Sequence, residues 1–235
     1  MKEIFSYFED LDRRSATILI ATPFLMVFYM YQGNHAFFTK HIASSMGNLA
    51  HPQWTAYGYQ FMSLDILFIL IPILLIKFYL KEDLADYGLT IGDWRFGLKA
   101  ILIALPLTMP ILYFGAMDKA IQAKYPLVKV AAISPKYFLM WALTYLTFYV
   151  GWEFMFRGFM QFGLRKKFGA FGSIMFQVMA STIMHYDKPF SESFAAVIAG
   201  IIWGAMALKT RSIYYVLIFH WLFGLSNDIF VIMLR

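Results

Sequence analysis

Cysteine is absent from this 235-residue chain, and charged side chains are scarce. Without cysteine there is no disulfide framework, no thiolate metal site and no cysteine nucleophile. Asp, Glu, Lys and Arg make up 14% of the residues, compared with about 25% in an average soluble domain. This number of charged residues is too small to form the water-exposed surface of a soluble domain. A soluble globular domain is therefore excluded.

Hydrophobic residues are abundant and make up 60% of the chain. A bilayer accepts this excess, because a helix satisfies its own backbone polar groups and needs only about 20 apolar residues to cross. The sequence therefore predicts an all-α fold, a polytopic membrane bundle of about seven transmembrane helices. The apolar stretches cover residues 15–32, 61–80, 97–115, 137–163, 171–186, 193–208 and 212–234.

The N-terminus predicts an interfacial segment rather than a signal peptide. Residues 1–14 mix acids, bases and aromatics, and no small-residue cleavage site follows the first apolar stretch. Ile4 or Leu11, with Phe5 and Phe8, would form the apolar face of a short interfacial helix.

The net charge of +6 is interpreted as a topology signal. When successive loops are assigned to alternating sides, most of the 20 Lys and Arg residues fall on the side of the N-terminus. The positive-inside rule then predicts a multi-pass integral membrane protein with a cytoplasmic N-terminus. We expect the lipid bilayer as a partner and no binding to nucleic acid.

Ionisable side chains inside apolar stretches are costly to bury in a bilayer and are therefore functional candidates. In this chain they are Asp65, Glu153, Arg157, His185, His220 and Asp228. The other three histidines lie in the first long loop and are interpreted as ordinary loop residues.

Glu153 and Arg157 are four residues apart, so they share a helix face and can neutralise each other. Counted from a turn near Lys167, Glu153 and His185 both lie roughly 21 to 27 Å along a helical hairpin. His220 lies roughly 15 Å above its own turn, so a carboxylate and two imidazoles can converge and activate a water. The alternatives are an ion pair that only fixes helix packing, and two histidines hydrogen-bonded within the core.

The order of these residues resembles the CPBP family of intramembrane proteases, which includes CAAX prenyl endopeptidases and Abi-like bacteriocin-processing or immunity proteins. The family pattern is Glu-Glu-x-x-x-Arg-Gly on one helix, a His at the end of the next, and a later His-x-x-x-Asn or His-x-x-x-Asp. The similar region runs from about residue 137 to 228, with further similarity at 86–89 and 208–213. The matching positions are Glu153, Arg157, Gly158, His185 and His220.

The resemblance implies an intramembrane endopeptidase that cleaves membrane-associated protein or peptide substrates. Glu153 and His185 would handle the water and its proton, His220 would assist the oxyanion, and Arg157 would orient the carboxylate. The chain would form one membrane unit, with N-terminal transmembrane helices and loops in residues 1–136 and the motif-bearing core in residues 137–235.

Two positions depart from the family pattern. Trp152 stands where the family has its first Glu, which is held to be the water-activating base, and Gly224 stands where it has Asn or Asp. The departures leave open a non-catalytic membrane scaffold or immunity protein. Glu192 is a candidate supporting carboxylate that either folds back beside His185 or caps the following helix.

A carrier of protons or small solutes is a third reading, with Asp65, Glu153 and the histidines as a relay. No dedicated metal site and no other cofactor is expected, because His-Glu-x-x-His does not occur and no two histidines are four residues apart. A divalent ion bound by Glu and His side chains remains an alternative.

Overall fold

The computed structural model describes residues 11–235. This part of the chain is helical and contains no strand, which confirms the predicted all-α fold. The predicted interfacial helix falls on residues 1–10, outside the described residues, apart from the alternative position Leu11.

From residue 11 onward, the N-terminal half contains three long helices and two short α-helices, besides three 3₁₀ helices of four residues each. The helices are α1 Arg13–Tyr31, α2 His35–His41, α3 Pro52–Leu80, α4 Trp94–Gly115 and α5 Lys119–Lys124. The long ones correspond to the first three apolar stretches, although α3 begins nine residues before the predicted boundary at residue 61. The short helices α2 and α5 lie in connecting segments and were not predicted.

The C-terminal half is a helical hairpin followed by two long helices. Helix α6 begins as an α-helix, Pro135–Glu153, and continues as a π-helix, Phe154–Phe162. The next helical stretch, Gly163–Ile183, is interrupted at Gly169, so residues 163–168 complete α6 and residues 170–183 form α7. Helix α8 is Phe190–Thr210 and helix α9 is Tyr214–Met233.

Local signals explain where several helices begin. A side-chain oxygen just before the helix accepts a hydrogen bond from a backbone N–H of the first turn, which would otherwise lack a partner. These N-cap residues are Asp12, Asn34, Asp93, Asp118 and Ser134, for α1, α2, α4, α5 and α6. Gly169 reverses the chain between α6 and α7 because its φ of +68° lies in the region that favours glycine.

Five of the described helices, α1, α3, α4, α8 and α9, are long and apolar enough to cross a membrane. Helices α6 and α7 correspond to the two remaining predicted stretches, 137–163 and 171–186. Each of these two helices carries three buried polar side chains. These are Glu153, Arg157 and Gln161 on α6, and Ser173, Gln177 and Ser181 on α7. Five of the seven apolar stretches therefore form apolar helices, and the other two form the more polar hairpin of α6 and α7.

Large apolar side chains cover much of the outer surface, as expected for helices that face lipid. Exposed examples from α1, α3, α4 and α6 are Phe24, Phe78, Leu102, Ile111, Phe114 and Leu143. Inside, one buried apolar cluster joins side chains from both halves of the chain, including Ile18, Phe68, Phe156 and Phe219. The bundle therefore has an apolar outer surface and a core to which both halves contribute.

The two short fragments similar to the CPBP family, 86–89 and 208–213, contact each other at one end of the bundle. The Ile213 N–H donates to the Gly88 carbonyl oxygen at 3.0 Å. Close by, the Asp93 N–H donates to the Thr210 carbonyl oxygen at 2.8 Å. These hydrogen bonds connect the loop before α4 to the turn between α8 and α9, the helix that carries His220.

A close contact between α3 and α6 depends on a glycine. A Cβ atom added at Gly151 would overlap the Cδ2 atom of the fully buried Leu64 on α3. At Gly58, also in a helix, an added Cβ would meet no atom within 4 Å. Gly151 therefore sets the separation of α3 and α6 just beside Glu153.

We predict that Gly151→Ala destabilises the protein by about 1–3 kcal/mol, because overpacking forces the two helices apart. The matched control Gly58→Ala should leave stability unchanged or raise it by up to about 1 kcal/mol, since alanine is the better helix former. Thermal unfolding of the detergent-solubilised variants measures both effects. Equal melting temperatures for the two variants would contradict the close packing at Gly151.

Candidate functional site

The centre of the candidate site is the carboxylate of Glu153, which is fully buried at the end of the α-helical part of α6. One of its oxygens, Oε1, has two partners. The Nδ1 atom of His220 lies 2.6 Å away, and the Nη1 atom of Arg157 lies 3.2 Å away. The structure thus brings three of the sequence-predicted residues into direct contact and joins α6 to α9.

The histidine hydrogen bonds indicate which ring nitrogen carries the proton. His185 Nδ1 lies 2.7 Å from the carbonyl oxygen of Ser181, which only accepts hydrogen bonds. His220 Nδ1 faces the Glu153 carboxylate oxygen, which also accepts a hydrogen bond from the cationic Arg157 guanidinium. Both rings are therefore assigned as Nδ1–H donors, which leaves a lone pair on each Nε2.

A cavity of about 400 Å³ connects the two histidines. Its lining includes Trp152, Arg157, His185, Glu192 and His220, together with apolar side chains of several helices. Glu153 does not line the cavity and contacts it through His220 and Arg157. Of the predicted site residues, four therefore face one shared space, and Glu153 lies behind two of them.

Aromatic rings enclose both imidazoles. His220 lies between Tyr149 and Trp203, whose ring centroids are 4.5 and 4.4 Å from its own. Trp152 meets the ring of His185 edge to face at 5.3 Å. Trp152 therefore occupies the wall of the cavity beside His185, where it also packs on Phe148 and Phe156.

Glu192 lies in the first turn of α8, which begins at Phe190 rather than at the predicted Ser193. It is both an acidic residue near a helix N-terminus and part of the cavity lining, so the two sequence alternatives are compatible. The Tyr125 hydroxyl donates to its Oε1 atom at 2.6 Å. The Oε2 atom is buried and has no partner among the described residues.

The segment around α5 holds the turn between α7 and α8 in place. Lys124 donates to the carboxylate of Asp187 at 2.9 Å, and Lys188 donates to the Tyr125 hydroxyl at 2.7 Å. Burial raises the pKa of Tyr125 well above its usual value, and the neighbouring Glu192 carboxylate raises it further. Burial also raises the pKa of Asp187, but the hydrogen bond and charge of Lys124 outweigh it and bring the pKa below its ordinary value.

Two other candidates, Asp65 and Asp228, lie outside the central cavity. Asp65 lines a separate surface pocket between α3 and α6, with Thr144 and Thr147. Asp228 is fully buried on α9, and its Oδ2 atom accepts a 2.8 Å hydrogen bond from the indole N–H of Trp141. Neither position supports the relay of carboxylates and histidines that a carrier would need.

The sequence analysis missed Tyr149, Trp203 and Tyr125 as site residues. Tyr149 precedes Glu153 by four residues, so its place on the same helix face was readable from the spacing. Trp203 and Tyr125 come from other helices or loops, and nothing local distinguishes them from the many other aromatic residues, which make up 20% of the chain.

Residues 134–226 match the family model described as type II CAAX prenyl endopeptidase Rce1-like. This segment is therefore similar to the Rce1-like family. The match is consistent with the CPBP resemblance and contains the Glu153, Arg157, His185 and His220 side chains described above. It spans less than half of the 235 residues. No curated protein and no solved structure matches the chain.

In the Rce1-like segment and the rest of residues 11–235, no group of three or more His, Asp or Glu side chains has a spacing suited to a metal ion. Glu153 uses Oε1 for His220 and Arg157, and His185 uses Nδ1 for a carbonyl oxygen. These side chains are therefore held by hydrogen bonds to one another and to the backbone.

We predict that Arg157→Met destabilises the protein by about 3–5 kcal/mol, because it leaves the Glu153 carboxylate buried with its positive partner removed. Adding Glu153→Gln to Arg157→Met should recover part of the loss, since the double variant buries no unpaired charge. Thermal unfolding in detergent, with the exposed Arg165→Met at the end of α6 as the control, measures the difference. Arg157→Met and Arg165→Met unfolding at the same temperature would contradict a structural role of the pair.

Proposed function

We propose that this protein is a CPBP-type intramembrane endopeptidase that hydrolyses peptide bonds of membrane-associated substrates with a water activated by its Glu and His side chains. The observation that carries the proposal is the 2.6 Å contact of His220 Nδ1 with the buried Glu153 carboxylate, beside a cavity shared with His185. The Rce1-like match over the same segment supports CAAX protease-type chemistry.

His220 is proposed as the general base. Its Nε2 lone pair takes a proton from the attacking water, and the imidazolium that forms is stabilised by Glu153 at Nδ1. Arg157 neutralises the carboxylate and keeps it oriented toward the imidazole. Glu153 then acts as a positioning residue, which differs from the sequence expectation that it would handle the water directly.

His185 is proposed to hold the same water. Because its Nδ1 is bound to the Ser181 carbonyl oxygen, its Nε2 accepts the second hydrogen of the water and restricts its orientation. Glu192 is proposed as a supporting carboxylate, held by Tyr125 and close to Lys188 at the rim of α8. After the water attacks the carbonyl carbon, the proton on His220 passes to the amine that leaves as the C–N bond breaks.

The proposed substrate is a peptide segment held at the membrane. The site lies inside a bundle with an apolar outer surface, and aromatic rings line the cavity around both histidines. A membrane anchor would bring such a segment to the cavity by lateral diffusion. These features support a membrane-associated polypeptide as the substrate.

We predict that replacing His220 or His185 singly with Ala lowers turnover at least about 100-fold, as expected for loss of a group that transfers or binds the reacting proton. Glu153→Ala should lower it to a similar degree, because His220 loses its orientation. The assay measures cleavage in proteoliposomes of two probes, a farnesylated peptide ending in a CAAX sequence and a peptide with one transmembrane anchor. His51→Ala, in the exposed first loop, is the control and should retain full turnover.

These variants distinguish an endopeptidase from a non-catalytic membrane scaffold. Unchanged turnover in all three site variants would overturn the assignment of the site. If the wild type cleaves neither probe and Trp152→Glu creates cleavage, the chain is a scaffold that lost its base, and the enzyme proposal is wrong.

We also propose that the N-terminus is cytoplasmic, as the distribution of Lys and Arg predicts. Because the chain has no cysteine, single cysteines report the sidedness of each loop without background. Ser45→Cys, before α3, should react with a membrane-impermeant maleimide added outside intact cells, and Lys166→Cys, before the Gly169 turn, should react only after permeabilisation. The opposite labelling pattern would reverse the orientation.

A further inference from the structure

Gly224 lies one helical turn after His220 on α9 and leaves room for a side chain from α6. A Cβ atom added at Gly224 would overlap the hydroxyl oxygen of Tyr149. The Tyr149 hydroxyl therefore occupies the space in which any other residue at position 224 would place its side chain. Both residues line the cavity that His185 and His220 share.

The position of Tyr149 is fixed from two sides. Its ring packs against the His220 ring with centroids 4.5 Å apart, and it lies four residues before Glu153 on the same face of α6. Only 3% of the residue is exposed, so the phenol is held in place by its surroundings. A rigid hydroxyl thus lies beside the imidazole that is proposed to activate the water.

Peptide hydrolysis needs a hydrogen-bond donor that the residues assigned so far do not provide. When water attacks, the carbonyl π electrons move onto the carbonyl oxygen, and preorganised donors stabilise the negative charge. His185 and His220 both direct their N–H groups away, to Ser181 and Glu153. A neutral phenol has an O–H donor and an ordinary pKa of about 10, so it donates without giving up its proton.

We propose that the Tyr149 hydroxyl, admitted into the cavity by Gly224, donates the hydrogen bond that stabilises the oxyanion of the tetrahedral intermediate. This inference rests on the proposed peptidase function. The phenol keeps its proton throughout: the oxyanion forms as the C–O bond to water forms, and it collapses back to a carbonyl as the C–N bond breaks. The space beside His220 then admits a side chain either from position 149 or from position 224, but not from both.

The first test is Tyr149→Phe, which removes the hydroxyl and keeps the ring against His220. With the same proteoliposome probes, kcat should fall about 100-fold, as for loss of one oxyanion donor, while KM changes less than about threefold. Tyr215→Phe, also a buried tyrosine but outside the cavity, is the matched control and should retain the wild-type kcat. Thermal unfolding of both variants shows whether the folded state is equally retained.

The second test uses the overlap of the two positions. Gly224→Asn alone should lower kcat, because the new side chain displaces the Tyr149 hydroxyl. Tyr149→Ala should also lower it, and the double variant Tyr149→Ala/Gly224→Asn should recover at least about tenfold over Tyr149→Ala, since the amide N–H then occupies the vacated place. A purely structural role of the tyrosine predicts no such recovery.

The outcomes distinguish this inference from the function on which it rests. Wild-type turnover that depends on His220 and is unchanged in Tyr149→Phe overturns the role of Tyr149 and leaves the peptidase standing. A loss in Tyr149→Phe that appears in KM alone also overturns it, because the hydroxyl would then bind the substrate in its ground state. Absence of turnover in the wild type overturns the function and the inference together.

Discussion

The buried Glu153 carboxylate is the constraint on which the rest of the site depends. An ion taken out of water is tolerated only with a charged partner and good hydrogen bonds, and Arg157 and His220 provide these at one oxygen. Because His220 comes from α9, the carboxylate also sets the rotation of α9 against α6. The Trp203 ring, from α8, lies over the Arg157 guanidinium at 5.9 Å and brings a third helix to the same point.

Around this charged centre the protein places aromatic rings instead of further carboxylates. Trp152 and Gly224, the two departures from the CPBP pattern, are both explained by this packing: the indole forms the cavity wall beside His185, and the glycine makes space for Tyr149. Such packing encloses the imidazoles and shields them from bulk water, which strengthens the electrostatic interactions between them and the buried Glu153 carboxylate.

The polar contacts at the other end of the cavity have a different physical role. Lys124 and Asp187 are partly exposed, and together with the buried Tyr125 they tie the α5 segment to the turn that carries His185. Exposed ion pairs contribute little stability individually, so this segment depends on several weak contacts acting together. The site therefore combines a rigid centre on α6 and α9 with a more loosely held rim near α8.

Composition and local periodicity by themselves determined the fold class and the approximate positions of the long helices. They predicted a helical membrane protein, the positions of the long helices, and the shared helix face of Glu153 and Arg157, because each depends on residues close together in the chain. Contacts between α6 and α9 depend on the rotation and depth of helices far apart in sequence. Only the tertiary structure could decide that His220 bonds Glu153, that Glu153 lies behind the cavity, and that Tyr149 takes the place left by Gly224.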